Sequence, residues 1–135
     1  MDDAFLQKIM MVEDDADIQI VGRMALEKVG GFTVKVCSSG VEALQSVGDF
    51  APDLILLDVM MPEMDGPATL QELRAQESTK SIPVIFMTAK AMPQEVRSYK
   101  KLGALDVIPK PFDPMQLSDS IRSIWDAYRQ EVSSS

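Results

Sequence analysis

Acidic side chains follow two apolar runs of this sequence. Residues 8–12 lead into Glu13 and Asp14, and residues 54–57 lead into Asp58. Short apolar runs without polar alternation are typical of strands that are buried on both faces of a parallel sheet. In open α/β sheets, ligands bind at the carboxyl ends of the strands. We therefore expect these three carboxylates to form part of a functional site.

A hydroxyl and an ammonium follow two further apolar runs, because Thr88 ends the fourth run and Lys110 follows the fifth. Crowded carboxylates repel one another unless a hard divalent cation neutralises them, and Mg²⁺ suits such a site. A carboxylate can attack phosphorus while a metal ion and an ammonium neutralise the phosphoryl oxygens. The residue types therefore predict a phosphoryl-binding site with Asp58 as the acceptor.

Alternating strands and helices are needed to position these residues. Five β-type runs are each followed by apolar residues at helical spacing, which predicts an α/β protein with a parallel sheet and helices on both faces. We expect a flavodoxin-like, doubly wound, five-stranded sheet in the order 2-1-3-4-5 with five helices. Strands one and three are neighbours in that order, so Glu13, Asp14 and Asp58 converge on one crevice.

Composition limits the possible functions. The chain has 135 residues, which fits one domain; we assign it to 1–130 and expect 131–135 to be a flexible tail. The formal net charge of −8 argues against nucleic-acid and membrane binding. With no histidine, the chain has no imidazole metal site and no phosphohistidine of its own. No leader or membrane span is apparent, so we expect a cytoplasmic protein.

Four motifs resemble the receiver domain of two-component response regulators, and the resemblance covers nearly the whole chain. Each motif alone is weak evidence for this family, but the four motifs in this order and at these spacings are specific for it. They are Val12-Glu13-Asp14-Asp15, Leu57-Asp58-Val59-Met60-Met61-Pro62 followed by Asp65-Gly66, Thr88-Ala89, and Lys110-Pro111-Phe112.

The resemblance implies phosphorylation of Asp58 with the help of Mg²⁺. Asp14, Asp58 and the backbone carbonyl of Met60 would bind the ion directly. Glu13 would hold metal-bound water, and Asp15 falls outside this acidic pair. The donor would be a phosphohistidine on a sensor histidine kinase or a histidine phosphotransfer protein.

The resemblance also implies a phosphate-binding role for Thr88 and Lys110, supported by Ala89 and Pro111. A cis bond is expected between Lys110 and Pro111, since cis peptide bonds occur almost only before proline. Receivers commonly have Tyr or Phe three residues before the lysine, but this chain has Val107. Output to an unknown downstream protein must then use another side chain or the backbone. We expect a single-domain switch that gains and loses its own phosphoryl group, rather than a turnover enzyme.

Two surfaces are predicted to contact partners. On the first helix, Ile20 lies opposite an inward face formed by Ile18, Val21 and Ala25, and it could contact the phosphodonor. The fourth and fifth helices, with the strand between them, are expected to form the output face. The fourth helix collects basic residues that could attract an acidic partner. They are Arg97, Lys100 and Lys101.

Two other functions use similar residues. A phosphatase of the haloacid dehalogenase type needs a second acid two residues after the nucleophile, where this chain has Met60, which cannot transfer a proton. A degenerate receiver that only binds proteins would keep the fold without accepting phosphate. Because every acceptor-site residue is present, phosphorylation is the favoured interpretation.

Overall fold

The computed structural model describes residues 5–134. Five parallel strands form one sheet in the order β2-β1-β3-β4-β5, which confirms the predicted fold class. All residues of β3 and β4 are buried, as predicted for apolar runs without alternation. The strands are β1 Lys8–Val12, β2 Thr33–Cys37, β3 Leu54–Asp58, β4 Val84–Thr88 and β5 Asp106–Pro109.

Five α-helices connect and follow the strands. Helix α5 extends through 131–134 of the segment predicted as a tail, and residues 1–4 and 135 lie outside the described residues. In the described part of the chain, no helix is long and apolar enough to cross a membrane. The helices are α1 Ala16–Met24, α2 Gly40–Phe50, α3 Gly66–Ala75, α4 Pro93–Lys101 and α5 Leu117–Ser134.

Two hydrophobic cores lie on opposite faces of the sheet, because successive side chains of a strand point in opposite directions. Along β1, Ile9 and Met11 belong to one core, while Met10 and Val12 belong to the other. Residues of α1 and α5 complete the first core, and residues of α2, α3 and α4 complete the second. The sheet is thus held from both sides, and its carboxyl edge is left for the site.

The first helix changes its geometry in its final turn. Helix α1 does not continue uniformly to Val29, because Ala25–Val29 forms a π-helical turn. The Ala25 carbonyl accepts hydrogen bonds from the N–H of Gly30, at 3.1 Å, and from the Ser118 hydroxyl of α5, at 2.9 Å. The wider turn therefore connects the end of the first helix to α5.

The predicted inward face of α1 is correct for two of its three residues. Ala25 is buried and Ile18 is partly buried, but Val21 is 36% exposed. Gly22 faces inward instead, because a Cβ atom at this position would collide with the Met11 side chain. A larger residue at position 22 would therefore require the Met11 side chain to move.

Candidate functional site

The sheet order brings the predicted site residues to one edge. Glu13 follows β1, Asp58 ends β3, Thr88 ends β4 and Lys110 follows β5. Strand β3 lies between β1 and β4, and β5 lies next to β4. Because parallel strands all end at the same edge, these four side chains converge without any long connection.

Two buried carboxylates share one ammonium at this edge. Asp58 is 2% exposed and Glu13 is 1% exposed. The Lys110 Nζ atom lies 3.1 Å from Glu13 Oε1 and 3.2 Å from Asp58 Oδ1. Charges removed from water are costly unless they are paired and hydrogen-bonded, and Lys110 pairs with both carboxylates.

The pKa values of these groups follow from burial and from their neighbours. Burial raises the pKa of Glu13, and the charge of Asp58 raises it further, against the lowering effects of an Asp15 backbone hydrogen bond and of Lys110. Burial alone would lower the pKa of Lys110, but the hydrogen bonds and charges of Glu13 and Asp58 outweigh it and raise this pKa. Lys110 therefore stays protonated near neutral pH and can bind an anionic oxygen.

A third carboxylate makes this edge suitable for a divalent cation. Glu13, Asp14 and Asp58 each offer an oxygen atom, and these atoms lie within 4.8 Å of one another. Oxygen ligands of one Mg²⁺ ion lie roughly 3 to 4 Å apart, so small side-chain movements would bring all three into range. Asp14 is exposed and the other two are buried. The cluster is therefore open to solvent on the Asp14 side, and its donor atoms fit a hard cation.

Asp15 has a structural role, in agreement with its predicted place outside the acidic pair. Its Oδ1 atom accepts hydrogen bonds from the N–H groups of Asp17, at 2.9 Å, and Ile18, at 3.1 Å, which caps α1. Sequence reasoning missed Gln19, whose Nε2 atom donates to the Glu13 carbonyl at 2.6 Å. The sequence gives little reason to single out Gln19. It lies one turn after the capping residue Asp15, and glutamine is common on solvated helix faces.

Thr88 is 1% exposed, and its hydroxyl oxygen accepts a hydrogen bond from the Lys90 N–H at 2.9 Å. The hydroxyl proton has no acceptor among residues 5–134, so it is available to a ligand at the site. The Thr88 hydroxyl thus connects the sheet edge to the loop that leads into α4.

The loop after Asp58 is closed by a glycine. The Gly66 N–H donates to the Val59 carbonyl at 2.9 Å. A Cβ atom at position 66 would lie 2.6 Å from the Asp58 carbonyl oxygen and 2.8 Å from Val59 Cα. Only glycine fits this close approach without displacing the backbone that carries Asp58.

The remaining predicted residues surround the site. The Lys110–Pro111 bond is cis, as expected, and Pro111 and Ala89 are exposed. Met60 is 66% exposed, and its N–H lies 3.4 Å from Asp58 Oδ1. The Met60 thioether therefore lies outside the buried cluster, while its backbone is next to the acceptor.

Val107 lies in β5, at the position where receivers commonly have Tyr or Phe. An aromatic pair lies beside it. Val107 pairs in register with Phe86 of β4. The Phe86 ring makes an edge contact with Tyr99 of α4, with centroids 5.3 Å apart and planes at 85°. The aromatic side chains beside Val107 thus come from the neighbouring strand β4 and from helix α4.

An apolar groove lies next to the ammonium of the site, with a volume of about 190 Å³. Helix α1 also carries two exposed apolar residues outside the groove, since Ile20 is 68% and Met24 is 51% exposed. The groove residues are Asp17, Ile18, Val21, Lys110, Pro111 and Phe112.

Known proteins resemble this chain in sequence. The family profile described as "Response regulator receiver domain" matches residues 9–122. The chain is 40% identical over 105 residues to a probable C4-dicarboxylate response regulator, DctR, of Priestia megaterium, which covers 77% of this chain and 45% of that protein. It is 40% identical over 119 residues to the transcriptional regulatory protein CpxR of Klebsiella pneumoniae, and the match covers 88% of this chain and 49% of that protein. The chain therefore spans about half the length of the curated relatives it matches.

Solved structures agree with these matches. The chemotaxis response regulator CheY4 of Vibrio cholerae superposes with a TM-score of 0.81 at 28% identity, covering 89% of this chain and 99% of that one. A putative response regulator from Chloroflexus aurantiacus superposes with a TM-score of 0.80 at 28% identity, and the match covers 90% of this chain and 98% of that one. The similarity thus includes the whole sheet and its helices.

Proposed function

We propose that this chain, which belongs to the family of response regulator receiver domains, accepts a phosphoryl group on the carboxylate of Asp58. The observation that carries the proposal is the position of Asp58, which is buried at the carboxyl edge with the Lys110 ammonium 3.2 Å away. The donor would be a phosphohistidine of a sensor histidine kinase or of a histidine phosphotransfer protein. The chain itself has no histidine and cannot supply one.

The transfer exchanges one bond to phosphorus for another. An Asp58 carboxylate oxygen attacks the phosphorus atom, an O–P bond forms, and the N–P bond of the donor breaks in line. The donor imidazole leaves with the electron pair of that bond and takes up a proton from solvent. Lys110 and the Thr88 hydroxyl would then bind oxygens of the new acyl phosphate, because an ammonium and a hydroxyl can both donate hydrogen bonds and both residues lie at this edge.

Glu13, Asp14, Asp58 and the Met60 carbonyl would hold Mg²⁺, directly or through water. When bound, the ion supplies positive charge that neutralises the phosphoryl oxygens during transfer. Glu13 must be ionised for this role, and its hydrogen bond to Lys110, at 3.1 Å, favours the ionised form. Asp14 lies on the solvent side, which leaves a route for the ion to enter.

The donor domain would dock on α1 and on the groove beside Lys110. This surface combines the exposed side chains of Ile20 and Met24 with an apolar groove next to the acceptor edge. Exposed apolar side chains close to an apolar groove are typical of a protein contact. It would place the phosphohistidine within reach of Asp58.

The experiment is the intact mass of the protein after incubation with phosphoramidate, with and without Mg²⁺. We expect a gain of one phosphoryl group that requires the metal and is absent from Asp58→Asn. The matched control is Asp15→Asn, which changes a neighbouring acid that caps α1, a role asparagine also fills. Equal phosphorylation of Asp58→Asn and of the parent would contradict the proposal.

A further inference from the structure

Methionine is frequent in this chain, with ten residues among 135. Methionines at the surface and in the interior differ in reactivity, because an oxidant in solution must reach the thioether sulfur. Met10, Met11 and Met87 lie in strands and are 0% exposed. In the part of the chain that the structure describes, four methionines are more than half exposed. They are Met24, Met60, Met92 and Met115.

Met60 is the most exposed of these four, at 66%, and it is the one that lies two residues after the proposed acceptor. Its N–H lies 3.4 Å from Asp58 Oδ1. The buried carboxylate and the exposed thioether are therefore separated by two peptide units. A change in the polarity of this side chain takes place next to the site that would hold the acyl phosphate.

The thiol of this chain competes poorly for an oxidant. Cys37 is the only cysteine in the sequence, and it is buried at the end of β2. Burial raises the pKa of its thiol, and the charge of Glu42 raises it further. The thiolate is the form of cysteine that reacts with oxidants, so Cys37 is protected by both its position and its protonation. Oxidation should therefore begin at the exposed thioethers.

We infer that Met60 is a site of reversible oxidation by peroxides, and that its sulfoxide shortens the lifetime of an acyl phosphate on Asp58. The second half of this inference rests on the proposed phosphorylation. The Met60 sulfur attacks one oxygen of hydrogen peroxide, an S–O bond forms and the O–O bond breaks. The leaving hydroxide takes the proton of the transferred hydroxyl and becomes water. Sulfur thus loses two electrons, and the peroxide gains them.

The sulfoxide changes how this side chain acts on water. A thioether is a weak hydrogen-bond acceptor, whereas a sulfoxide is polar. The sulfoxide oxygen, two residues from the acceptor, would hold a water molecule where the thioether excludes one. Hydrolysis of an acyl phosphate needs water in line with the bond to Asp58, so a water molecule held at this edge should speed the loss of phosphate.

The fold should tolerate oxidation at Met60 and not at its neighbour. Met60 belongs to neither hydrophobic core, so a polar sulfoxide there stays in water. Met61 is 8% exposed and belongs to the second core. A sulfoxide at Met61 would place a polar group among apolar side chains, which is costly. Two adjacent methionines therefore offer an internal comparison, in which one is open to an oxidant and the other is protected.

The first measurement is tandem peptide mass spectrometry of the unphosphorylated full chain after treatment with dilute hydrogen peroxide. We expect a sulfoxide at Met60 and at the similarly exposed Met115, and none at Met61 or Met87 while the protein is folded. Methionine sulfoxide reductases for both sulfoxide epimers should remove it. Thermal unfolding should be the same before and after oxidation. An unmodified Met60 would overturn the inference.

The second measurement is the lifetime of the acyl phosphate in oxidised and untreated protein, each phosphorylated with phosphoramidate and Mg²⁺. We expect oxidation to shorten it about threefold, well below the effect of a positioned general base, because a sulfoxide holds water without removing its proton. Met60→Leu keeps an apolar side chain without sulfur, so its lifetime should not respond to peroxide. The matched control, Met115→Leu, removes a similarly exposed thioether after β5 and should respond like the parent.

Three results of the lifetime measurement would overturn the inference. They are an equal or longer lifetime in the oxidised parent, an equal response in Met60→Leu, and a shortened lifetime that the reductases do not restore. Untreated parent protein that takes up no phosphoryl group would contradict the proposed function, and the effect on lifetime with it. Because the sulfoxide is located on unphosphorylated protein, that failure is distinct from a failure of Met60 to react.

Discussion

The acceptor edge and helix α4 are adjacent along the chain and differ in how they are held. At the acceptor edge, Glu13, Asp58 and Thr88 are each at most 2% exposed, and Lys110 bridges the two carboxylates. Helix α4 follows Thr88 after a four-residue loop and has no buried residue. Charged groups are thus fixed in one region and left free in the other.

This difference shows where a change at Asp58 can have an effect. The strands that carry the site are packed on both faces and cannot move without disturbing two cores. Helix α4 has no buried residue, and its contacts include the Tyr99–Phe86 edge contact and the partly exposed Lys100–Asp106 pair, so displacing it costs less than displacing a strand. The hydrogen bond from the Lys90 N–H to Thr88 is the direct connection between the two regions.

The largest expected effect is on the acceptor edge. Lys110→Met should destabilise the metal-free protein by about 3 kcal/mol at alkaline pH, because it leaves two buried carboxylates without a cation. Burial already raises the pKa of Glu13, and loss of the ammonium raises it further. The destabilisation should therefore shrink as the pH falls and Glu13 takes up a proton. Urea unfolding at two pH values measures this effect.

The control for that variant comes from α4. Lys101→Met removes an exposed cation without an ion pair and should change stability by less than about 0.5 kcal/mol. If Lys101→Met and Lys110→Met had equal effects, the contrast between the two regions would be wrong.

A second variant tests the loop that holds Asp58. Gly66→Ala should cost about 2 kcal/mol, because its methyl group would press on the Asp58 carbonyl and Val59 Cα. Gly48→Ala on α2 is the control, since a Cβ atom there meets nothing within 4 Å. That control should gain about 0.5 to 1 kcal/mol from the higher helix propensity of alanine. Thermal unfolding of both proteins would show opposite shifts, and a stable Gly66→Ala protein would contradict the described packing.

A third variant tests which surface beside the acceptor edge contacts the phosphodonor. Ile20→Glu should slow phosphotransfer from the cognate kinase about tenfold, which corresponds to about 1.4 kcal/mol. The control, Leu102→Glu, changes an exposed apolar residue at the end of α4 and should leave this rate unchanged. An unchanged rate in Ile20→Glu would remove α1 from the docking surface.

The smallest expected effect concerns the lifetime of the acyl phosphate. Water must attack opposite Asp58, and we expect Met60 and Lys90, which are both exposed, to flank that approach. Neither side chain acts as a base, because a thioether and an ammonium do not accept a proton. We expect Met60→Asn with Lys90→Glu to shorten the lifetime by a modest factor. Met115→Asn with Lys28→Glu is the control; a lifetime unchanged in both would show that these side chains do not shield the phosphate.

The sequence predicts the parts of this molecule that depend on local pattern. The apolar runs before Asp58 and Thr88 indicate buried strands, and the sheet order then brings Glu13, Asp14 and Lys110 to Asp58. The parts it does not predict depend on contacts between distant residues. The π-helical turn requires Ser118 of α5, and the buried position of Gly22 requires Met11 of β1.

The same reasoning applies to the basic residues of α4. Arg97, Lys100 and Lys101 have similar positions in the sequence, and helical spacing alone does not separate them. Only the approach of β5 places Asp106 beside Lys100. Pairing across elements therefore decides which cations remain free.

The most direct measurement of the central claim is the location of the phosphoryl group in the chain. The phosphorylated protein is digested under conditions that preserve or chemically trap the acyl phosphate, and the modified residue is identified by peptide mass spectrometry. The account predicts modification at Asp58 alone, since Asp58 ends the strand between those that lead to Glu13 and Thr88 and lies 3.2 Å from the Lys110 ammonium. Modification at Glu13 or Asp14, or no modification in the presence of Mg²⁺, would contradict it.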